Sequence, residues 1–194
     1  PLTSEVPTEI IDMTRKLLEV MPPAERPELV DGLPLLSLEM PLRTAYNMGA
    51  VVIASAGNDS AGLRSPAAEN VPAAYSFALG VQSTNMKQAK SCYSNVGEIG
   101  APGGDGGIAP NCEPQLQLCN AAEPCDYGLV SLVSLKSNTV GFAYWVGSSF
   151  AAPLVSGVAA DALENGVNYD KVINGLQSSA ATSGVVDAPS AIKP

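Results

Sequence analysis

Two short stretches of this chain carry residue types suited to attack on a carbonyl group. Residues 147–153 read GSSFAAP. A serine nucleophile must sit at a tight turn with little bulk around it, so that a substrate backbone can reach its Oγ. Gly147 permits that approach, and Ser149 opens a run of small residues that reads as a helix, whose N-terminal N–H groups favour developing negative charge. Residues 54–58 read ASAGN: an apolar strand ending in Gly57-Asn58, at the kind of sheet edge where α/β proteins place their sites. A carboxamide fixed there can donate to an oxyanion. The bland alternatives are a helix N-cap for Ser149 and a turn residue for Asn58. Asn58-Asp59-Ser60 is also a formal glycosylation sequon, and a glycan would block Asn58 from any site.

The base is missing. A serine hydroxyl is a weak nucleophile until a neighbouring group takes its proton, and the 194 residues contain no histidine. Lys87, Lys90 or Lys136 could serve as a lysine base in an unrelated hydrolase, but no spacing brings any of them to Ser149.

The elements that must position these residues can be read from the pattern. Residues 8–21 form an amphipathic helix, with Ile10, Met13, Leu17 and Met21 on one stripe, capped by Thr8 and stopped by Pro22-Pro23. Residues 33–38 (LPLLSL) read as a short buried strand, followed by a helix from Pro41 to Tyr46 that ends at Gly49. Residues 50–56 (AVVIASA) are continuously apolar, as a parallel strand covered on both faces should be. That order suggests a right-handed βαβ unit. Apolar segments at 77–82 and 129–135 follow, and residues 151–163 read as a helix apolar nearly all round, hence buried. The expected fold class is α/β, a mostly parallel sheet flanked by helices.

Composition limits the functions open to the chain. A hydrophobic fraction of 46% with 15% charged residues indicates a folded interior. The net charge of −9 repels phosphate backbones and anionic lipid, which argues against nucleic-acid and membrane partners. No stretch has the length of a transmembrane helix. Four cysteines, Cys92, Cys112, Cys119 and Cys125, form no C-x-x-C pair. Two disulfides of undetermined pairing, and so an oxidising compartment outside the cell, fit better than a four-thiolate zinc site. Gly103-Gly104-Asp105-Gly106-Gly107 offers too few ligands for calcium and reads as a flexible loop. No metal or cofactor is expected from the residues themselves. Tyr144 and Trp145 precede the nucleophile turn and either line a pocket or pack beneath it.

Together these motifs resemble the subtilisin-like serine peptidases. The family's nucleophile signature is Gly-Thr-Ser-x-Ala-x-Pro, which residues 147–153 match with Ser148 in place of threonine. Residues 49–58 (GAVVIASAGN) are similar to the strand leading to the family's oxyanion asparagine. Residues 91–97 (SCYSNVG) resemble the strand before the Ala101-Pro102-Gly103 turn, and 184–191 (GVVDAPSA) the closing segment. The resemblance implies Ser149 as nucleophile and Asn58 with the Ser149 backbone N–H as oxyanion donors. It implies Ser55, Ala56, Gly57, Gly147 and Ser148 as residues beside a peptide or protein substrate, and it brings calcium in as a family possibility. It covers about 41 to the C-terminus, leaving 1–40 as a divergent segment with one helix and 41–194 as the C-terminal portion of a peptidase domain. Ser37-Leu38-Glu39 reads as a structural strand, with the family's substrate-pairing strand as the sharper alternative. The family's triad order is Asp, His, Ser. Neither Asp12 nor Asp31 has the family's surrounding motif. The chain begins at Pro1, as a processed or excised piece would. The expectation is therefore a part of a secreted endopeptidase, completed by a missing N-terminal segment or another chain. The competing expectation is a catalytically inactive relative retained for binding or structure.

Overall fold

A computed structural model describes residues 36–105, 112, 117–118, 128–134, 136, 141–181 and 184–191. The expected helix at 8–21, Cys119, Cys125 and most of the 103–128 loop lie outside these residues. The chain divides into two compact units, Pro1–Met48 and Gly49–Pro194.

In the first unit, helix α1 spans Leu36–Asn47. This corrects the strand expected at 33–38, since residues 36–38 are helical, and with it the proposed βαβ unit and the substrate-pairing strand at Ser37-Leu38-Glu39. Leucine and methionine are good helix formers, and Glu39 and Arg43 close an i, i+4 ion pair at 2.6 Å. Those local terms outweigh an apolar run too short to tell strand from helix. Pro41 accordingly sits inside the helix rather than at its first position.

In the second unit, strands β1 (Ile53–Ser55), β2 (Leu79–Thr84) and β3 (Ile99–Pro102) form a parallel sheet in the order β1-β2-β3. Ile53 pairs with Leu79 and Val81 with Ile99. Residues 91–97 hold a turn at Cys92-Tyr93 in otherwise irregular chain rather than the strand expected there; the strand begins at Ile99. Three more strands, β4 (Gln117–Leu118), β5 (Leu129–Leu132) and β6 (Phe142–Trp145), form a separate antiparallel sheet in the order β4-β6-β5.

Helix α2 (Ser148–Glu164) lies on the parallel sheet. Its buried face is Ala151, Ala152, Val155, Ala159 and Ala162, packed with Leu79, Val81, Ile99 and Ala101. Alanines at helical spacing let the helix axis approach the strands closely, so the start of α2 sits near the carboxyl ends of β1 and β2. The expectation of burial all round is corrected: Leu154 and Leu163 are each 43% exposed, and only one stripe meets the core. Helix α3 (Tyr169–Ala180) is capped by the Asn168 side chain, which accepts from the Lys171 N–H, and buries Val172, Leu176 and Ala180. A short helix α4 (Ala188–Ala191) follows, and Val186 N–H bonds the Gly100 carbonyl at the edge of β3.

Candidate active site

The two sequence stretches converge. Asn58 Oδ1 accepts from the Ser148 backbone N–H at 2.9 Å and lies 3.0 Å from Ser148 Oγ. A backbone N–H can only donate, so the carboxamide atom facing Ser148 is the oxygen. The Nδ2 donor must then point elsewhere, and it lies over Gly147: a Cβ built on that glycine would stand 3.3 Å from it. Ser148 is fully buried, and its hydroxyl ties the two loops together, receiving the Gly57 N–H at 3.1 Å and reaching the Gly57 carbonyl at 3.2 Å.

Ser149 follows at the second position of α2 and is exposed. No hydrogen bond engages its hydroxyl among the described residues. Gly147, the N-cap, has φ 141°, a conformation that L side chains rarely adopt, and offers no side chain of its own to cap the helix. Asn58 takes the Ser148 N–H, and the Ser149 N–H that follows makes no backbone hydrogen bond among the described residues. The Phe150 N–H turns back to the Gly147 carbonyl at 3.0 Å. Pro153 has no N–H to offer the Ser149 carbonyl, which loosens the helix ladder at Ser149.

Ser55 ends β1 and is half-buried, Ala56 is fully buried, and Gly57 is half-buried. Trp145 stacks on Phe150, with ring centroids 5.4 Å apart, so the aromatic residue before the turn packs against the start of α2.

Sequence reasoning missed the groups that hold this arrangement. Asn95, fully buried, bonds the loop carrying Asn58 on three sides. Its Oδ1 accepts from Asp59 N–H at 2.8 Å, its Nδ2 reaches the Ala56 carbonyl at 3.2 Å and Asp59 Oδ2 at 3.1 Å, and its own N–H bonds the Gly57 carbonyl at 3.0 Å. Ser60, also buried, donates to Asn95 Oδ1 at 3.2 Å and accepts the Ala67 N–H at 2.9 Å. The signal was present in the SCYSNVG run, but as family resemblance without a structural role.

Among the three lysines, Lys90 is committed elsewhere: its Nζ donates to the Ser94 carbonyl at 2.7 Å and the Ser91 carbonyl at 3.3 Å. Burial lowers its pKa. Asp105 accepts from Asn85 Nδ2 at 3.0 Å, and no group of three or more His, Cys, Asp or Glu side chains among the described residues could hold a metal ion. Cys92 and Cys112 have their sulfurs at bonding distance, with Cα atoms 6.0 Å apart. No helix among the described residues is long and apolar enough to cross a membrane.

Comparison with known proteins gives the family and the fold. The sequence profile of the Subtilase family matches residues 31–182. Thermitase of Thermoactinomyces vulgaris is 42% identical over 69 residues, 34% of this chain and 23% of that protein. Among solved structures, a protease from Pseudoalteromonas arctica PAMC 21717 is 25% identical, with a TM-score of 0.54 over 78% of this chain and 44% of that one. The prenylagaramide maturation protease PagA is similar in fold at 23% identity, with a TM-score of 0.55 over 86% of this chain and 58% of that one. The chain thus spans less than two thirds of each of these relatives. On the match across 31–182, which reaches from α1 through α2 to the end of α3, the chain belongs to the Subtilase family.

Proposed function

We propose that this chain carries the nucleophile and oxyanion half of a subtilisin-like serine endopeptidase. The observation that supports it most is the orientation of Asn58: Ser148 occupies the carboxamide oxygen, leaving Nδ2 as a donor over Gly147, two residues before the exposed Ser149. In the proposed reaction Ser149 Oγ attacks a peptide carbonyl carbon, and its proton passes to an imidazole from a segment outside this sequence. The carbonyl oxygen, now negative, is held by Asn58 Nδ2 and the Ser149 N–H. The imidazolium then protonates the leaving amine, and water releases the acyl group by the same steps. Ser55, Ala56, Gly57, Gly147 and Ser148 border the acyl portion of the substrate.

The partner is accordingly a polypeptide bearing the family's Asp and His. A cysteine pair at bonding distance supports placement outside the cell. A second reading, an inactive subunit kept for binding, is favoured by the complete lack of histidine in the sequence. A fluorophosphonate probe, which reacts only with an activated serine, separates the two. Labelling at Ser149 in the presence of an Asp- and His-bearing segment supports the peptidase. Absence of labelling under every pairing supports the inactive subunit.

A further inference from the structure

We propose that Tyr93 is a positioning residue whose phenol hydroxyl, with Ser83 and Ser91, fixes the backbone turn against which the nucleophile loop is seated. The inference rests on the reading of Ser149 as nucleophile, but its mechanical part stands on contacts alone.

The phenol lies in a closed polar cluster. Its ring is fully buried, and its oxygen sits 2.6 Å from the Gly104 carbonyl, 3.0 Å from the Gly103 carbonyl and 2.8 Å from Ser83 Oγ. Ser91 Oγ donates to the same Gly104 carbonyl at 2.6 Å and lies 3.0 Å from Ser83 Oγ. Three hydroxyl protons thus face two carbonyl oxygens. Tyr93 donates to the pair, Ser91 reinforces Gly104, and Ser83, whose Oγ lies 3.3 Å from the Gly104 carbonyl, closes the cluster. Gly103 and Gly104 hold the other side of the turn by N–H bonds to the Thr84 carbonyl at 3.0 and 3.2 Å.

What this turn carries is the nucleophile loop. The Gly147 N–H donates to the Gly103 carbonyl at 2.9 Å, two residues before Ser149. The approach leaves no room for a side chain: a Cβ on Gly103 would fall 2.3 Å from Ser83 Oγ and 2.7 Å from the Gly147 carbonyl. A phenylalanine would fill the same space as Tyr93, yet leave the Gly103 carbonyl dependent on Gly147 alone and Gly104 on the two serines. Burial raises the Tyr93 pKa, against the opposing pull of Ser83, Ser91 and the Gly147 backbone, so the donor proton stays in place in neutral solution.

The test compares the full chain with its Tyr93→Phe and Ser91→Ala variants by amide hydrogen exchange. Removing the phenol hydroxyl should speed exchange at Gly147 and Gly103 by about tenfold, the scale of one net hydrogen bond, with the Val81 and Ala159 amides unchanged. Ser91→Ala, which removes a donor to the Gly104 carbonyl but none to Gly103, should give a smaller increase at Gly147. Equal protection at Gly147 in wild type and Tyr93→Phe overturns the proposal, as does a uniform rise at all four amides. If Tyr93→Phe does not fold, the graded response of Ser91→Ala decides in the same way. A second arm measures fluorophosphonate labelling in the presence of the Asp- and His-bearing segment. Tyr93→Phe should lower the rate at saturating probe by about tenfold without changing the half-saturating concentration. Equal saturating rates overturn the link to the nucleophile. If wild type itself does not label, the peptidase reading fails, and the exchange arm alone decides whether Tyr93 braces the loop.

Discussion

Asn58 offers one acceptor and two donors, and its neighbours decide which way each faces. Replacing it by aspartate keeps the acceptor toward Ser148 but turns the donor over Gly147 into a second acceptor. Asn58→Asp should therefore fold with little loss of stability and lose catalysis in a completed enzyme. The expected fall in kcat is about 10²–10³-fold, the magnitude established for the corresponding donor in subtilisin itself. Steady-state kinetics beside a thermal melt checks both halves of this expectation. Gly147→Ala works the other way. At φ 141° a side chain is strained, and the variant should lose about 1–3 kcal/mol of stability, measured by denaturant unfolding. These two positions were legible in the sequence because a buried strand ending in Gly-Asn and a small-residue helix start each imply a geometry. Tyr93 and Asn95 were not. Their task is to satisfy backbone groups brought from distant parts of the chain, and nothing local in SCYSNVG announces which carbonyls those will be.

At the scale of elements, helix α2 and the parallel strands were readable because long or continuously apolar segments have one stable solution. The segment at 33–38 misled: six residues of leucine-rich chain fit strand and helix equally, and the local ion pair between Glu39 and Arg43 lies outside that window. Helix α3 anchors the sheet through Leu176, which is 1% exposed. Leu176→Ala should cost about 2–5 kcal/mol, seen as a lower unfolding midpoint with an unchanged slope. The Glu69 carboxyl, on the loop before β2, is held above its ordinary 4.5 chiefly by burial. The N–H of Glu98 that it accepts pulls the other way, and the Glu98 charge pushes it further up. The folded chain thus holds this proton more tightly than the unfolded one. Its stabilising contribution is complete below 4.5 and disappears as pH rises through the folded value. Glu69→Gln should flatten that decline, so the melting temperatures of variant and wild type should diverge as pH is raised from 4.5 toward neutrality, with the variant higher.

For the whole molecule, the parallel sheet and the helix packed on it bring Asn58 against Ser148, next to Ser149, and the chain spans 44–58% of the length of its structural relatives. The proposed chemistry needs an imidazole, which no residue of this sequence can supply. Lys90 is no substitute, since its Nζ is tied to two carbonyls. The most direct measurement is mass-spectrometric mapping of fluorophosphonate adducts on this chain, alone and after addition of an upstream subtilase segment bearing Asp and His. The account predicts no adduct on the isolated chain and a single adduct at Ser149 once the imidazole is supplied. Stoichiometric labelling of the isolated chain, or an adduct on any serine other than Ser149, would contradict it.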